Sequence, residues 1–296
     1  MQRVIPEPIN KPVGRKRQRL LRYLFIASLS VVIGTGLIAA ALYFFQEKLI
    51  YFPQPYWKYY ERLMPLGTVE LKYVSPQGNQ TAFYIPPRKP ADTQAVPERL
   101  WVLFGGNGSL ALHWGGIVTA SRDDKAGFLL VEYPGYGNCA GSPNPLSLQQ
   151  NAEGAFNALA AQLKTTTGIL ESDLNILGHS LGTAAALQFA VEHPVKRLVL
   201  LAPFTSMADM AKEQFGSLVA PLLRHRYDNR ARLADLYGRS PRPHVVIVHG
   251  SADEVIPQRM SRELAREFEP MTEFHNLRDG SHMDAVDEAA DWIRPF

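Results

Sequence analysis

Five short apolar runs, LWVLF, FLLVEY, LNILGH, RLVLLAP and HVVIVHG, recur between residues 100 and 250. None alternates apolar with polar and none exceeds seven residues, so each has the character of a strand buried on both faces. Between them, apolar positions recur at helical spacing. One such stretch covers 147–163, with Ser147 and Gln150 as a capping-box-like start, and others cover 258–269 and 283–293. Buried strands alternating with helices predict an α/β fold, a mostly parallel central sheet with helices on both faces. Ahead of it, TVELKYV and TAFYIP alternate as a half-exposed antiparallel pair turned at SPQGNQ, and the Pro-rich residues 86–98 form a surface loop. Residues 204–242 are helical, basic in the middle (LLRHRYDNRAR) and longer than a crossover needs, which suggests a small lid-like segment over the strand ends.

A second constraint precedes the sheet. Residues 23–45, YLFIASLSVVIGTGLIAAALYFF, carry no charge, and about twenty apolar residues at ~1.5 Å each span the ~30 Å bilayer core. Residues 1–22 hold seven basic side chains (Arg3, Lys11, Arg15, Lys16, Arg17, Arg19, Arg22) against Glu7 alone. The chain therefore divides into a basic tail (1–22), a transmembrane signal anchor (23–45) and a folded body (46–296). The positive-inside rule puts the tail in the cytoplasm and the body outside it. A cleavable signal peptide is the alternative, with Ala39 and Ala41 as the small-residue site and a secreted product. Tyr51, Phe52, Tyr56, Trp57, Tyr59 and Tyr60 follow the span and suit either a membrane interface or packing under the domain. Without its tail the chain keeps 24 basic and 27 acidic residues, so nothing in the body calls for a nucleic-acid partner. One cysteine, Cys139, excludes an internal disulfide and a cysteine-rich metal site.

The motif with chemical content is GHSLG, residues 178–182, set between the strand-like LNIL and the helix-like TAAALQFAVEH. G-x-S-x-G in that context is a nucleophile elbow: the turn is so tight that Gly178 and Gly182 are needed to avoid collision, and Ser180 is pushed out above the sheet. Thr183, Ala184 and Ala185 let the helix approach closely. A serine hydroxyl needs a base, and the base an orienting acid. Of eight histidines, His282 lies in RDGSHMDAV, a glycine-containing loop between a strand and the last helix, where an imidazole can be delivered over the strand ends. His179 is expected to point away and His249 to have a core role. His193 and His225 read as surface helix positions, and His244 and His275 lie in or beside strands, with His275 the substitute base. Asp253 follows a buried strand and is the candidate acid, with Glu254 its near rival and Asp279 and Asp284 flanking His282. Ser180, Asp253, His282 is the chain order this architecture expects. Two backbone N–H groups must form the oxyanion hole. They are assigned to Leu181, after the nucleophile, and Asn107 in GGNGS, with Gly108 as alternative.

The same loop admits a different chemistry. Gly106, Gly108 and Ala111 match G-x-G-x-x-A after a strand, and Glu132 ends the next one, the pattern of a dinucleotide site with an acid on the ribose. That pattern usually opens its domain, whereas here two strand-like segments come first, and it leaves Ser180, Asp253 and His282 unexplained.

LFGGNGS, VEYPGYGNCAGSPNP, LGHSLGTAAAL, LLAPFTSMADMA, HGSADEVIP and GSHMD together resemble the α/β-hydrolase superfamily over residues 46–296. They resemble most its membrane-anchored, α/β-hydrolase-domain-containing branch, which EKLIYFPQP after the span also fits, and are similar to serine aminopeptidase-type hydrolases. The resemblance implies Ser180 as nucleophile, Asp253 as acid, His282 as base and an oxyanion hole at Leu181 and Asn107. It also implies cleavage of carboxylic esters or thioesters, in a small-molecule, lipid or peptide substrate, with no metal or organic cofactor. Two positions depart from the pattern: Gly105, where relatives commonly carry histidine, and Glu132, where aspartate is usual. A non-catalytic binding protein on the same fold is the other outcome the pattern allows.

Overall fold

The apolar runs become strands because only a sheet covered on both sides hides a segment without a polar face. The structure, a computed structural model, describes residues 13–89 and 95–293. Residues 1–12 of the basic tail, 90–94 of the Pro-rich loop and 294–296 lie outside the described residues. The chain divides into two units, residues 1–45 and 46–296.

The first unit is helical. Helix α1 (Val13–Ile50) starts in the basic segment and ends five residues past the unit, so it exceeds the 23–45 expected from the uncharged run. Its part from Arg17 to Ile50 contains an 18-residue window with a mean hydropathy of 2.2 and is long and apolar enough to cross a membrane.

The second unit holds an eight-stranded sheet. In chain order its elements are β1 (Val69–Ser75), β2 (Gly78–Ile85), β3 (Arg99–Phe104), α2 (Gly115–Ala120), β4 (Ala126–Val131), α3 (Pro145–Gln162) and α4 (Thr167–Leu170). There follow β5 (Leu174–His179), α5 (Leu181–Ala190), β6 (Val195–Leu201), α6 (Met207–Phe215), α7 (Asn229–Tyr237) and β7 (His244–Gly250). The last elements are α8 (Gln258–Glu267), β8 (Thr272–Leu277), α9 (Asp284–Asp287) and α10 (Ala289–Trp292). The strand order is β1-β2-β4-β3-β5-β6-β7-β8, with β1 and β2 antiparallel to their neighbours and the rest parallel. This is the α/β-hydrolase fold.

Successive residues of β3 go to opposite faces. Leu100, Val102 and Phe104 join a core under α3, α5, α7 and α8, while Trp101 and Leu103 join one under α2, α9 and α10. Three expectations change on inspection. Strand β2, paired to β1 and to β4, is buried from Gln80 to Ile85 rather than half-exposed, because Ala82 and Tyr84 enter one core and Phe83 and Ile85 the other. Helix α3 begins earlier than read. Its cap is Asn144, whose side chain accepts from Ser147 N while Ser147 Oγ accepts from Asn144 N, and Pro145 occupies the first turn. The stretch 283–293 is two single-turn helices instead of one. Within 204–242, α7 is the crossover between β6 and β7, so α6 and the chain up to residue 228 are what this connection adds.

The topology already indicates where chemistry belongs. From β3 the chain goes to β4 on one side, and β5 then pairs with β3 on the other. At such a reversal the loops leaving the carboxyl ends of the two strands part and open a crevice. Here those loops begin at Gly105 and Ser180, and Phe104 is the register partner of Gly178.

Candidate active site

Ser180 is the residue between β5 and α5, with φ 54° and ψ −121°. That conformation is left-handed and strained for a residue with a Cβ. The elbow closes only because its neighbours lack side chains. A methyl on Gly178 would overlap the Gly182 carbonyl and lie 2.8 Å from Ala186 Cβ, and one on Gly182 would overlap the carbonyls of Phe104 and Gly105. The strand-to-helix turn is therefore pressed against the loop that leaves β3. A Cβ on Gly106 would come within 3.5 Å of Ser180 Cβ, which places that loop beside the serine. Ser180 is 8% exposed, and among the described residues its hydroxyl has no hydrogen-bond partner. Leu181 opens α5, so its N–H is one of the donors an α-helix leaves free.

His282 and Asp253 are brought together by two loops that knit at the ends of β7 and β8. Gly250 lies so close to Gly280 and Ser281 that any side chain there would strike their backbone. Ser251 N donates to Leu277 O, Ala252 N to Gly280 O and Asp279 N to Ser251 Oγ, at 2.8–2.9 Å. On this frame Asp253 Oδ2 lies 2.8 Å from His282 Nδ1. Its other oxygen accepts from Val255 N and Ile256 N, each at 2.8 Å. The carboxylate side chain is fully buried, whereas Glu254, Asp279 and Asp284 are exposed. His275 lies on β8 against Trp292 and pairs with Glu273 at 2.6 Å instead of Asp253.

His249 has the expected core position together with a contact to Asp253 that was not foreseen, and His179, His193 and His225 take positions the sequence did not disclose. His249, fully buried at the end of β7, places Nε2 3.0 Å from Asp253 Oδ2 and 3.0 Å from Ile256 O. Its Nδ1 is 2.6 Å from Ser261 Oγ, whose hydroxyl donates to Pro203 O at 2.8 Å. His249 thus ties Asp253 to Ser261 and to the Ile256 carbonyl. The available signal was a histidine ending an apolar strand four residues before the candidate acid. Burial alone would raise the Asp253 pKa, but the bonds from His249, His282 and Ile256 N hold the carboxyl well below the usual range. His179 does not turn away from the site. Its Nε2 lies 3.3 Å from His282 O and its ring centroid 4.8 Å from that of His282, so it supports the loop that carries His282. Burial, then the neighbouring His282, push its pKa down to about 3, which keeps it neutral. His193 and His225, read as surface positions, are buried. His193 sits between Glu153 and Glu171 at 3.0 and 2.7 Å, and His225 lies 3.0 Å from Tyr51 Oη.

The loop after β3 is tied at both ends. Asn107 Nδ2 donates to Ile50 O at 3.1 Å, and Asn107 O accepts from Phe52 N at 3.0 Å and Tyr136 Oη at 2.5 Å. Gly105 O accepts from Tyr133 Oη at 2.7 Å. The space a Gly105 side chain would need is filled by Ser109 and Trp114, with Trp114 Nε1 3.3 Å from the added atom. Glu132 accepts from Tyr56 Oη at 2.6 Å and Ala111 N at 3.1 Å, and is only 1% exposed. It is thus closed off from any ribose, and the dinucleotide alternative loses its acid. Among the described residues no group of three or more His, Cys, Asp or Glu side chains is arranged to hold a metal ion.

The aromatic residues after α1 divide into two sets. Tyr51 is buried and Tyr56 stacks on Tyr60 at 4.7 Å, whereas Phe52, Trp57 and Tyr59 are about half exposed.

Residues 101–233 match the model of the alpha/beta hydrolase family. The chain is 31% identical over 137 residues to an uncharacterized protein of Mycobacterium tuberculosis, covering 46% of this chain and 46% of the relative. It is 30% identical over 125 residues to human alpha/beta hydrolase domain-containing protein 17B, covering 42% of this chain and 39% of that protein. Both matches span less than half of the relative's own length. Among solved structures, carboxylesterase CesB of Bacillus subtilis superposes with a TM-score of 0.53 at 13% identity, over 78% of this chain and 91% of that one, a likeness of fold.

Proposed function

We propose that this chain, which has the α/β-hydrolase fold and matches the alpha/beta hydrolase family model over residues 101–233, is a membrane-anchored serine hydrolase cleaving carboxylic ester or thioester bonds. The observation that carries this reading is the 2.8 Å bond between Asp253 and His282 Nδ1, together with a strained Ser180 at the sheet's topological switch point, next in sequence to His179, whose ring lies 4.8 Å from that of His282. Asp253 accepts at Nδ1, so the imidazole keeps its proton there and leaves Nε2 to take the Ser180 proton. The Ser180 oxygen then attacks the substrate carbonyl. Negative charge develops on the carbonyl oxygen, where Leu181 N–H and Asn107 N–H are assigned to receive it. His282 returns its proton to the leaving alcohol or thiol. Water, deprotonated by the same base, releases the acid and restores Ser180. The carboxylesterase similar in fold puts carboxylic esters first among substrates to try, with lipid and peptide acyl groups next.

In this reading residues 1–22 are a basic cytoplasmic tail and 23–45 a signal anchor. Residues 46–296 form the catalytic domain outside the cytoplasm, with a lid-like segment near 204–242. Support comes from the long apolar helix and the basic residues at its start. Fluorophosphonate labelling of the purified full chain tests the chemistry. Wild type is expected to label and to hydrolyse short acyl esters, Ser180→Ala to do neither, and His282→Ala to fold but lose turnover. A wild type that does not label, or a Ser180→Ala variant that labels equally, would leave a binding protein on a hydrolase fold.

A further inference from the structure

We propose that the segment from Gln46 to Tyr56, immediately after the apolar unit, is a positioning strap of the active site rather than a spacer. This rests on the acyl-transfer reading above. The loop it acts on is GGNGS, in which Asn107 lies between two glycines. Glycine gives a backbone its widest freedom, and within the loop a bond from Ser109 N to Gly106 O at 3.1 Å closes a turn around Asn107 without touching its side chain or carbonyl. Those two groups are held from outside. Ile50 O takes the Asn107 side-chain amide at 3.1 Å, and Phe52 N donates to the Asn107 carbonyl at 3.0 Å. Tyr136 Oη closes the triangle, donating to Asn107 O at 2.5 Å and accepting from Phe52 N at 3.0 Å. With side chain and carbonyl both held, the strap, through Ile50, Phe52 and the Tyr136 bridge, fixes the orientation of the turn that carries the Asn107 N–H.

The strap also grips both margins of the site. At the far end of the loop, Tyr56 Oη accepts from Leu112 N at 3.2 Å while donating to Glu132, which itself holds Ala111 N. Gln54 O accepts from Gly137 N at 2.8 Å, fixing the turn that carries Tyr136. On the other side, Gln46 Oε1 accepts from Arg224 N and His225 N at 2.7 and 3.1 Å, and Tyr51 Oη lies within 3.0 Å of His225 Nδ1 and Tyr227 Oη. One stretch of chain thus ties the oxyanion loop and the segment between α6 and α7 to a common support. Ile50, Phe52 and Tyr136 act through Asn107 and are positioning residues.

The test uses the full-length protein in detergent or nanodiscs, with two variants that each cut one tie and leave the Asn107 N–H in place. Tyr136→Phe removes the hydroxyl bridge and Asn107→Ala removes the amide held by Ile50 O. Each is expected to lower kcat by about tenfold to a hundredfold, the usual cost of misplacing a group by about an ångström, with KM within about twofold. Affinity for a trifluoromethyl ketone, whose adduct on Ser180 is tetrahedral, should fall in the same proportion, while affinity for the planar product carboxylate should not change. A general loss of structure would not separate the two inhibitors. Tyr237→Phe, which deletes a tyrosine-to-carbonyl bond on the far side of the domain, is the control. A reactive wild type whose two variants keep kcat and ketone affinity within twofold overturns the strap alone. A wild type with no serine reactivity overturns the strap together with the hydrolase reading.

Discussion

Replacing Glu132 by glutamine should change how stability responds to pH, in a direction fixed by its surroundings. The carboxyl is buried, with two donors on Oε2 and, among the described residues, no partner on Oε1. Burial pushes its pKa up to about 7 from an ordinary value of 4.5, although the bonds from Tyr56 and Ala111 pull the other way. Between pH 4.5 and 7 the folded protein therefore keeps a proton that the unfolded chain has lost. Stability must fall as pH rises wherever the native state binds more protons. At ~1.36 kcal/mol per pKa unit the gap amounts to about 3 kcal/mol, fully expressed above pH 7 and absent below pH 4.5. Glu132→Gln preserves the shape and an acceptor for Tyr56 or Ala111 but has no ionisation. Urea unfolding of both proteins from pH 4.5 to 8.5 should therefore give curves that diverge through this window, with the variant ahead by about 3 kcal/mol at pH 8. Parallel curves would refute the reasoning, since every other titrating group is common to the two proteins.

Two further outcomes follow from the site's geometry. Ser180 holds a left-handed conformation that costs about 1–3 kcal/mol for a residue with a Cβ, so Ser180→Gly should unfold a few degrees above Ser180→Ala in calorimetry; equal midpoints would mean no strain is stored there. His249→Ala strips Asp253 and Ser261 of a buried partner, and should cost about 3–5 kcal/mol in urea unfolding at pH 7, whereas a loss below 1 kcal/mol would show that the His249 contact carries little.

The sheet was legible because a doubly buried strand leaves a continuous apolar run, and LNILGH and HVVIVHG coincide with β5 and β7 to the residue. The elbow was legible because its steric demand falls on two glycines fixed in sequence relative to Ser180. What escaped depends on contacts between distant segments. Nothing near TAFYIP says that β2 meets a core on each face, and nothing near His193 or His225 says that Glu153, Glu171 or Tyr51 will cover them. Burial of a polar side chain is decided by what packs on it, and local spacing carries only the periodicity of its own element. The same limit explains why the aromatic residues in and after EKLIYFPQP left membrane interface and packing under the domain both open, although bonds of that segment run to residues 107, 136 and 225.

The two buried acids beside the site are in opposite states for the same reason. Asp253 receives two backbone N–H groups and two imidazole nitrogens, enough donors to outweigh burial, so it remains a carboxylate across the working pH range. At Glu132 the tyrosine hydroxyl and the backbone N–H groups that face it do not outweigh burial, and it ionises near neutrality. Environments that separate the pKa values of neighbouring acids also separate their duties. In the proposed mechanism a permanent charge is what orients and supports the His282 base, and His249, 3.0 Å from the same carboxylate oxygen, helps to hold that charge in place. A near-neutral carboxyl supplies no comparable charge. Its position on Tyr56 and Ala111 instead makes it a clamp between the strap and the loop after β3, and a clamp requires shape and an acceptor more than ionisation.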